Sequence, residues 1–148
     1  MAVIEVNLDD SAFQDDMAAI TDLLSDLSEL CSLLAGRAIK LIDRKFQKSG
    51  PGWVPLSAKT LKRRRKGGAG AKPLLDTGHM RRSLVSGGPD GVYEVSAFSF
   101  SVGTLVKYAP AHQFGTSKIP ARPFIPDEAE LVAEFTPLIK RYFKDKLQ

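Results

Sequence analysis

The 148-residue chain has one cysteine, Cys31, one tryptophan, Trp53, and two histidines, His79 and His112. One cysteine leaves no internal disulfide and no cysteine-based zinc cluster within the chain. The histidines lie far apart without metal-ligand spacing, and no glycine-rich phosphate loop stands between a strand and a helix. Long apolar runs are missing, and the start MAVIEVNLDD turns acidic where a signal peptide would be basic and then continuously apolar. These absences lead to the expectation of a protein without metal, cofactor or membrane span, made in a reducing cytoplasm. Lysine and arginine are absent from the first 35 residues.

What is present is an ordinary globular composition, 43% hydrophobic and 26% charged, sized for a single domain over residues 1–148. The charge is unevenly placed. Residues 1–35 carry eight carboxylates and a charge of −8, residues 36–83 carry +12, and residues 84–148 balance. An acidic and a basic region on one chain can dock copies head to tail, a contact that closes into a ring when the rotation allows; the alternative is two solvated faces.

Ile4, Glu5, Val6, Asn7 and Leu8 alternate as a short strand does. From Phe13 the apolar positions step through Met17, Ile20, Leu24, Leu27, Cys31, Leu34, Ala38 and Leu41, the spacing of one helical face. Asp26 and Glu29 have capping-box spacing, so the stripe is one long helix or two helices broken near residues 25–28. Ser49, Gly50, Pro51 and Gly52 end it. Trp53 and Leu56 then anchor an irregular segment, and Ser57 caps a short basic helix over residues 57–66. Lys62, Arg63, Arg64, Arg65 and Lys66 run into a glycine-rich stretch, making residues 57–73 a long flexible basic loop. That run either meets DNA or an acidic partner or is a solvated tip; it has no interleaved aromatics to stack on bases.

Asp76 or Thr77 is placed to cap a short helix over residues 79–84. Residues 92–96 and 98–102 alternate as an antiparallel hairpin, and residues 106–109 are a candidate third strand. Pro120 and Pro123 stiffen an extended segment, after which Asp127, Glu128 and Glu130 open a final helix over about residues 127–147, with a kink or break at Pro137. The fold class is α+β: a small antiparallel sheet flanked by a long N-terminal helix, a short middle helix and a C-terminal helix, with an extended basic loop. Catalytic chemistry is poorly supplied. Its best arrangement pairs Asp76 with His79 or His112 as a general base, against the plainer roles of a cap and a satisfied polar side chain.

Four blocks carry a resemblance. They are Gly52, Trp53, Val54, Pro55, Leu56 and Ser57 with Thr60; Leu74, Leu75, Asp76, Thr77 and Gly78 with Ser83 and Leu84; Val102 and Gly103 with Tyr108, Ala109, His112, Gln113, Phe114 and Gly115; and Pro120, Ala121, Arg122, Pro123 and Phe124. In their order and spacing the chain resembles the virion-morphogenesis or tail-completion family of Mu-like and related tailed bacteriophages. Departures from the family pattern are His79 and Met80, where a basic residue and leucine are expected, and the basic, glycine-rich insert at residues 62–72. The resemblance implies a non-enzymatic virion protein that completes the tail or joins it to the head. It also implies a sixfold homo-oligomeric ring at the neck, or head-proximal tail end, with head-connector and tail-tube proteins as partners. The blocks holding His112, Gln113, Phe114 and Gly115 and residues 120–124 would then be rigid structural loops. Trp53, Leu56, Asp76, Thr77, Gly78, Tyr108, Arg122 and Phe124 would join them as structural or interface residues.

Overall fold

The apolar stripe that begins at Phe13 folds as two helices, α1 (Ser11–Ser25) and α2 (Ser28–Lys48). The computed structural model describes residues 11–50, 52–64 and 71–147, so the expected strand at residues 4–8 lies outside the described residues. The break falls where the sequence placed it, but not through a capping box. Asp26 accepts the Ser28 backbone N–H at 2.8 Å, while Glu29 turns to Lys146 Nζ, also at 2.8 Å. Leu27, between the helices, donates its N–H to Ala97 O at 2.9 Å and so ties the break to the hairpin turn. At the other end of α2, Ser49 and Gly50 take left-handed φ angles of 59° and 62°, and their N–H groups return to Phe46 O and Lys45 O. Gly50 has a second reason to be glycine: a Cβ there would lie 2.2 Å from the Trp53 ring.

Ser57 caps α3 (Ala58–Arg63), accepting the Thr60 N–H at 3.2 Å, so the start of the expected basic loop is helical. In α4 (His79–Val85) neither expected side chain occupies the cap. Gly78 does, at φ 73°, because the chain must turn through the left-handed region there; Thr77 Oγ1 accepts the His79 N–H from one residue further out, at 3.3 Å. Strands β1 (Gly91–Val95) and β2 (Phe100–Thr104) pair antiparallel, Gly91 opposite Thr104 and Val95 opposite Phe100. Phe98 belongs to the turn, which Ser96 and Ser99 close with backbone and hydroxyl hydrogen bonds.

The candidate third strand at 106–109 is not formed. Val106 and Ala109 are both buried with a turn between them, and Ala109 opens α5 (Ala109–Phe114), where Pro110 supplies the fixed φ of a first helical turn. The block His112, Gln113 and Phe114 is therefore helical rather than a loop. Helix α6 (Glu128–Lys146) begins with a complete capping box between Asp127 and Glu130 and runs unbroken through Pro137. Proline removes a hydrogen bond from the Ala133 carbonyl, but both residues are exposed, so water reaches the freed group.

Helix α2 packs on α4, α6 and both strands, and two clusters form along it. Near its C-terminus Phe46 and Phe124, both fully buried, meet at 5.6 Å between ring centroids, and Trp53 stands edge-on to Phe46 at 6.1 Å. Met80, Leu84, Val106 and Ala109 complete that cluster. Near its N-terminus Leu30 and Leu34 pack with Tyr142 of α6, joined by Phe100 and Phe135. Cys31 is buried as a small apolar residue. An ion ladder flanks the α2–α6 seam: Glu134 binds Arg37 and Arg44, and Glu130 binds Lys45. Desolvation raises the pKa of Glu134, but the hydrogen bonds and charges of the two arginines outweigh it and hold the carboxyl below its ordinary range.

Candidate functional site: a cationic cleft

Arg122 organises the end of the molecule beyond the Phe46 cluster. Only 6% of it is exposed, and its guanidinium donates to Val54 O through Nε at 3.0 Å and Nη2 at 2.8 Å, and to Pro55 O at 3.3 Å. Its own N–H donates to His112 O at 2.7 Å, so one residue clips the Trp53 segment to α5 and to residues 120–124. Gln113 Oε1 accepts the N–H groups of Phe124 and Ile125, and Trp53 Nε1 donates to Pro123 O at 3.1 Å. Five residues outside any helix or strand, Val54, Pro55, Pro123, Phe124 and Ile125, are thereby held by side-chain hydrogen bonds to backbone, which irregular segments packed on a core require.

The block at residues 74–78 is held from α3. Arg64 Nη1 donates to Lys72 O at 2.6 Å and Leu75 O at 3.2 Å, and Lys72 Nζ donates to Gln47 O at the end of α2. Leu74 is kept at φ 61°, a left-handed conformation that leucine rarely adopts and that only surrounding structure sustains.

These segments enclose a cleft of about 780 Å³. Of the residues expected from sequence, Leu56, Asp76, Thr77, Gly78, Tyr108, His112 and Arg122 line it, and Trp53, Gln113 and Phe124 support it from behind. Val54, Leu74, Met80, Ile119 and Pro120 make its walls apolar, while Arg64, Lys118 and Arg122 line it together with Asp76, the one carboxylate among the described lining residues. Phe114 is not among the described lining residues and is 79% exposed. Gly115 turns the chain at φ 77°, where a Cβ would lie 2.8 Å from Ala121 N. Lys62 and Arg63 are exposed on α3; Arg65 and Lys66 lie outside the described residues. Sequence reasoning missed the cleft's use of Arg64, grouped with its cationic neighbours, and of Lys118 and Ile119, for which no local pattern existed.

His112 packs edge-on to Tyr108 at 5.9 Å, and its Nδ1 is buried without a hydrogen-bond partner among the described residues. Burial, and then the charges of Arg122 and Arg64, push its pKa below the ordinary 6.5, so the ring is neutral at pH 7. The pairing of Asp76 with a histidine as a general base is not seen: His79 Nε2 lies 2.9 Å from Asp90 Oδ2, and His112 has no carboxylate partner among the described residues. Among those residues no three His, Cys, Asp or Glu side chains are grouped to hold a metal ion, and no helix is long and apolar enough to cross a membrane. What the cleft offers chemically is apolar contact area under a positive rim.

The sequence model of the phage virion morphogenesis family matches residues 8–144, nearly the whole chain. A protein of Methanocaldococcus jannaschii described as uncharacterised is 33% identical over 102 residues, spanning 66% of this chain and 72% of its own length. No solved structure matches the chain.

Proposed function

Because the chain belongs to the phage virion morphogenesis family, we propose that it is a non-enzymatic structural protein that completes the tail or joins it to the head, built into a sixfold ring at the neck. The observation that carries this reading is the convergence of all four sequence blocks on one cleft, whose buried side chains are spent on fixing backbone. Arg122, Gln113 and Arg64 bind carbonyls and N–H groups of neighbouring segments, the work of a rigid docking platform. Large apolar side chains left in water include Tyr108, which lines the cleft, and Leu105 and Phe114 nearby in the chain.

Native mass by light scattering, for the chain alone and mixed with purified tail tube or head connector from the same genome, tests the reading. A complex with either partner is the expected result. Failure to join both, at concentrations where those partners join one another, would overturn it.

A second reading, a nucleic-acid-binding module, is favoured by one observation: Lys59, Lys62 and Arg63 stand exposed together on α3 next to a sequence that continues basic. Its sign is DNA affinity that falls steeply with salt and is lost when Lys62 and Arg63 are changed to serine. The acidic first 35 residues count against it.

A further inference from the structure

We propose that α1 of one copy seats in the cationic cleft of the next, so that copies of this chain join head to tail through an amphipathic helix laid into a groove. The inference rests on the structural reading above and names the contact that builds the assembly.

Three observations carry it. First, α1 has an apolar face that the described residues leave largely exposed. Phe13 is 61%, Met17 44% and Leu24 47% exposed, and with Ile20 they lie on one stripe at spacings of four, three and four. Among the described residues only Leu23 of this helix joins a core cluster. A stripe of large side chains recurring at that spacing is what a helix-in-groove contact reads.

Second, the cleft complements it in kind and sign. Its walls are apolar, Val54 being 50% exposed within them, and Arg64, Lys118 and Arg122 make it positive. Helix α1 has three aspartates and no cation. By helical geometry Asp16 flanks the stripe, whereas Asp15 and Asp22 lie on the opposite face. The charges therefore steer and orient the approach, and the apolar stripe holds the contact.

Third, the two surfaces are at opposite ends of α2. Helix α1 joins its first turn, and the cleft is built beyond Phe46 and Trp53 at its last, about 30 Å away for 21 residues. Helix α1 has 15 residues, about 22 Å, and is linked to α2 by two, of which Leu27 is bonded to the hairpin turn, so it is too short to lay its stripe in its own cleft. An arm and a socket that cannot meet within one chain meet between chains, and such a contact is heterologous, the kind that closes into rings.

The test uses two full-length variants with substitutions at exposed side chains. One ruins the arm (Phe13→Ser with Met17→Ser) and one ruins the socket (Val54→Asp with Lys118→Glu). Val54 serves Arg122 through its carbonyl, which the substitution keeps. Far-UV circular dichroism and melting temperature verify that both fold as the wild type does. In sedimentation velocity the wild type is expected to self-associate and each variant to stay monomeric. The two variants mixed are expected to form a 1:1 heterodimer and nothing larger, since one good arm and one good socket remain between them. Wild type that stays monomeric to its solubility limit overturns the proposal, as does a variant that associates like wild type or a mixture that stays monomeric. Any of these results combined with binding to the tail tube or connector would overturn the arm-in-socket contact and leave the structural role standing.

Discussion

Helices α1 and α2 share one apolar stripe with one spacing, yet α2 sits at the centre of the fold and α1 stands at its edge. In α2 the stripe residues Leu34, Ala38 and Leu41 are buried against α6, α4 and the hairpin; in α1 Phe13, Met17 and Leu24 face water. Two turns of chain separate these conditions. Periodicity states which face of a helix is to be covered, and burial requires another element to arrive there; among the described residues α2 receives α4, α6 and the hairpin, whereas α1 receives none beyond its last turns.

The sharpest way to break this contrast is to truncate a large side chain on each helix. Phe46→Ala, at the centre of the aromatic cluster, is expected to cost about 3–5 kcal/mol, read from urea unfolding, because the Trp53 and Phe124 rings cannot collapse into the space. Arg122→Ala comes next. It removes three hydrogen bonds to the Val54 and Pro55 carbonyls and is expected to cost about 2–3 kcal/mol by the same measurement, with Arg122→Lys failing to restore it, since an ammonium cannot span both carbonyls as the planar fork does.

A smaller effect separates the ends by pH. His112 has a folded pKa below 6.5, so the unfolded chain takes up the proton first. Its contribution to stability is complete above about pH 6.5 and is lost as the pH falls through the lower folded value. Melting temperatures taken from about pH 8 down to about pH 5 should show this decline, and His112→Gln should flatten it. The smallest effect belongs to α1: Phe13→Ser with Leu24→Ser is expected to move monomer stability by no more than about 0.5 kcal/mol. A loss as large as that of Phe46→Ala would show that α1 is held by its own chain after all.

Much of the architecture could be read from local pattern. The helical stripe, its break near residues 25–28, the Ser57 cap, the hairpin and the acidic start of α6 each depend on neighbours within a few residues, whose steric and hydrogen-bonding preferences act before any tertiary contact forms. The misreadings share an opposite cause. The short apolar sequence around Val106 reads equally as a strand or the entry to a helix, and a sheet partner was missing, so Ala109 and Pro110 began α5 instead. Glu29 had a capping partner in the sequence but found Lys146, 117 positions away, in the fold. Pro137 was a breaker by rule, yet the packing of Phe135, Leu138, Ile139 and Tyr142 keeps α6 whole around it.

The site divides the same way. That Trp53, Asp76, His112 and Arg122 belong to distinct motif blocks was visible in the sequence; that Arg122 bonds Val54, that Arg64 bonds Leu75 and that these blocks share one cleft was not. Those contacts join residues whose separation along the chain carries no information about their distance in space. The sequence by itself determined where helices and turns form and that an acidic segment precedes a basic one, because propensity, capping and charge are properties of short stretches. Only the tertiary structure decided that the acidic helix keeps its apolar face in water and that the basic cleft opens at the far end of α2, because both follow from which elements find partners once the chain has closed on its core.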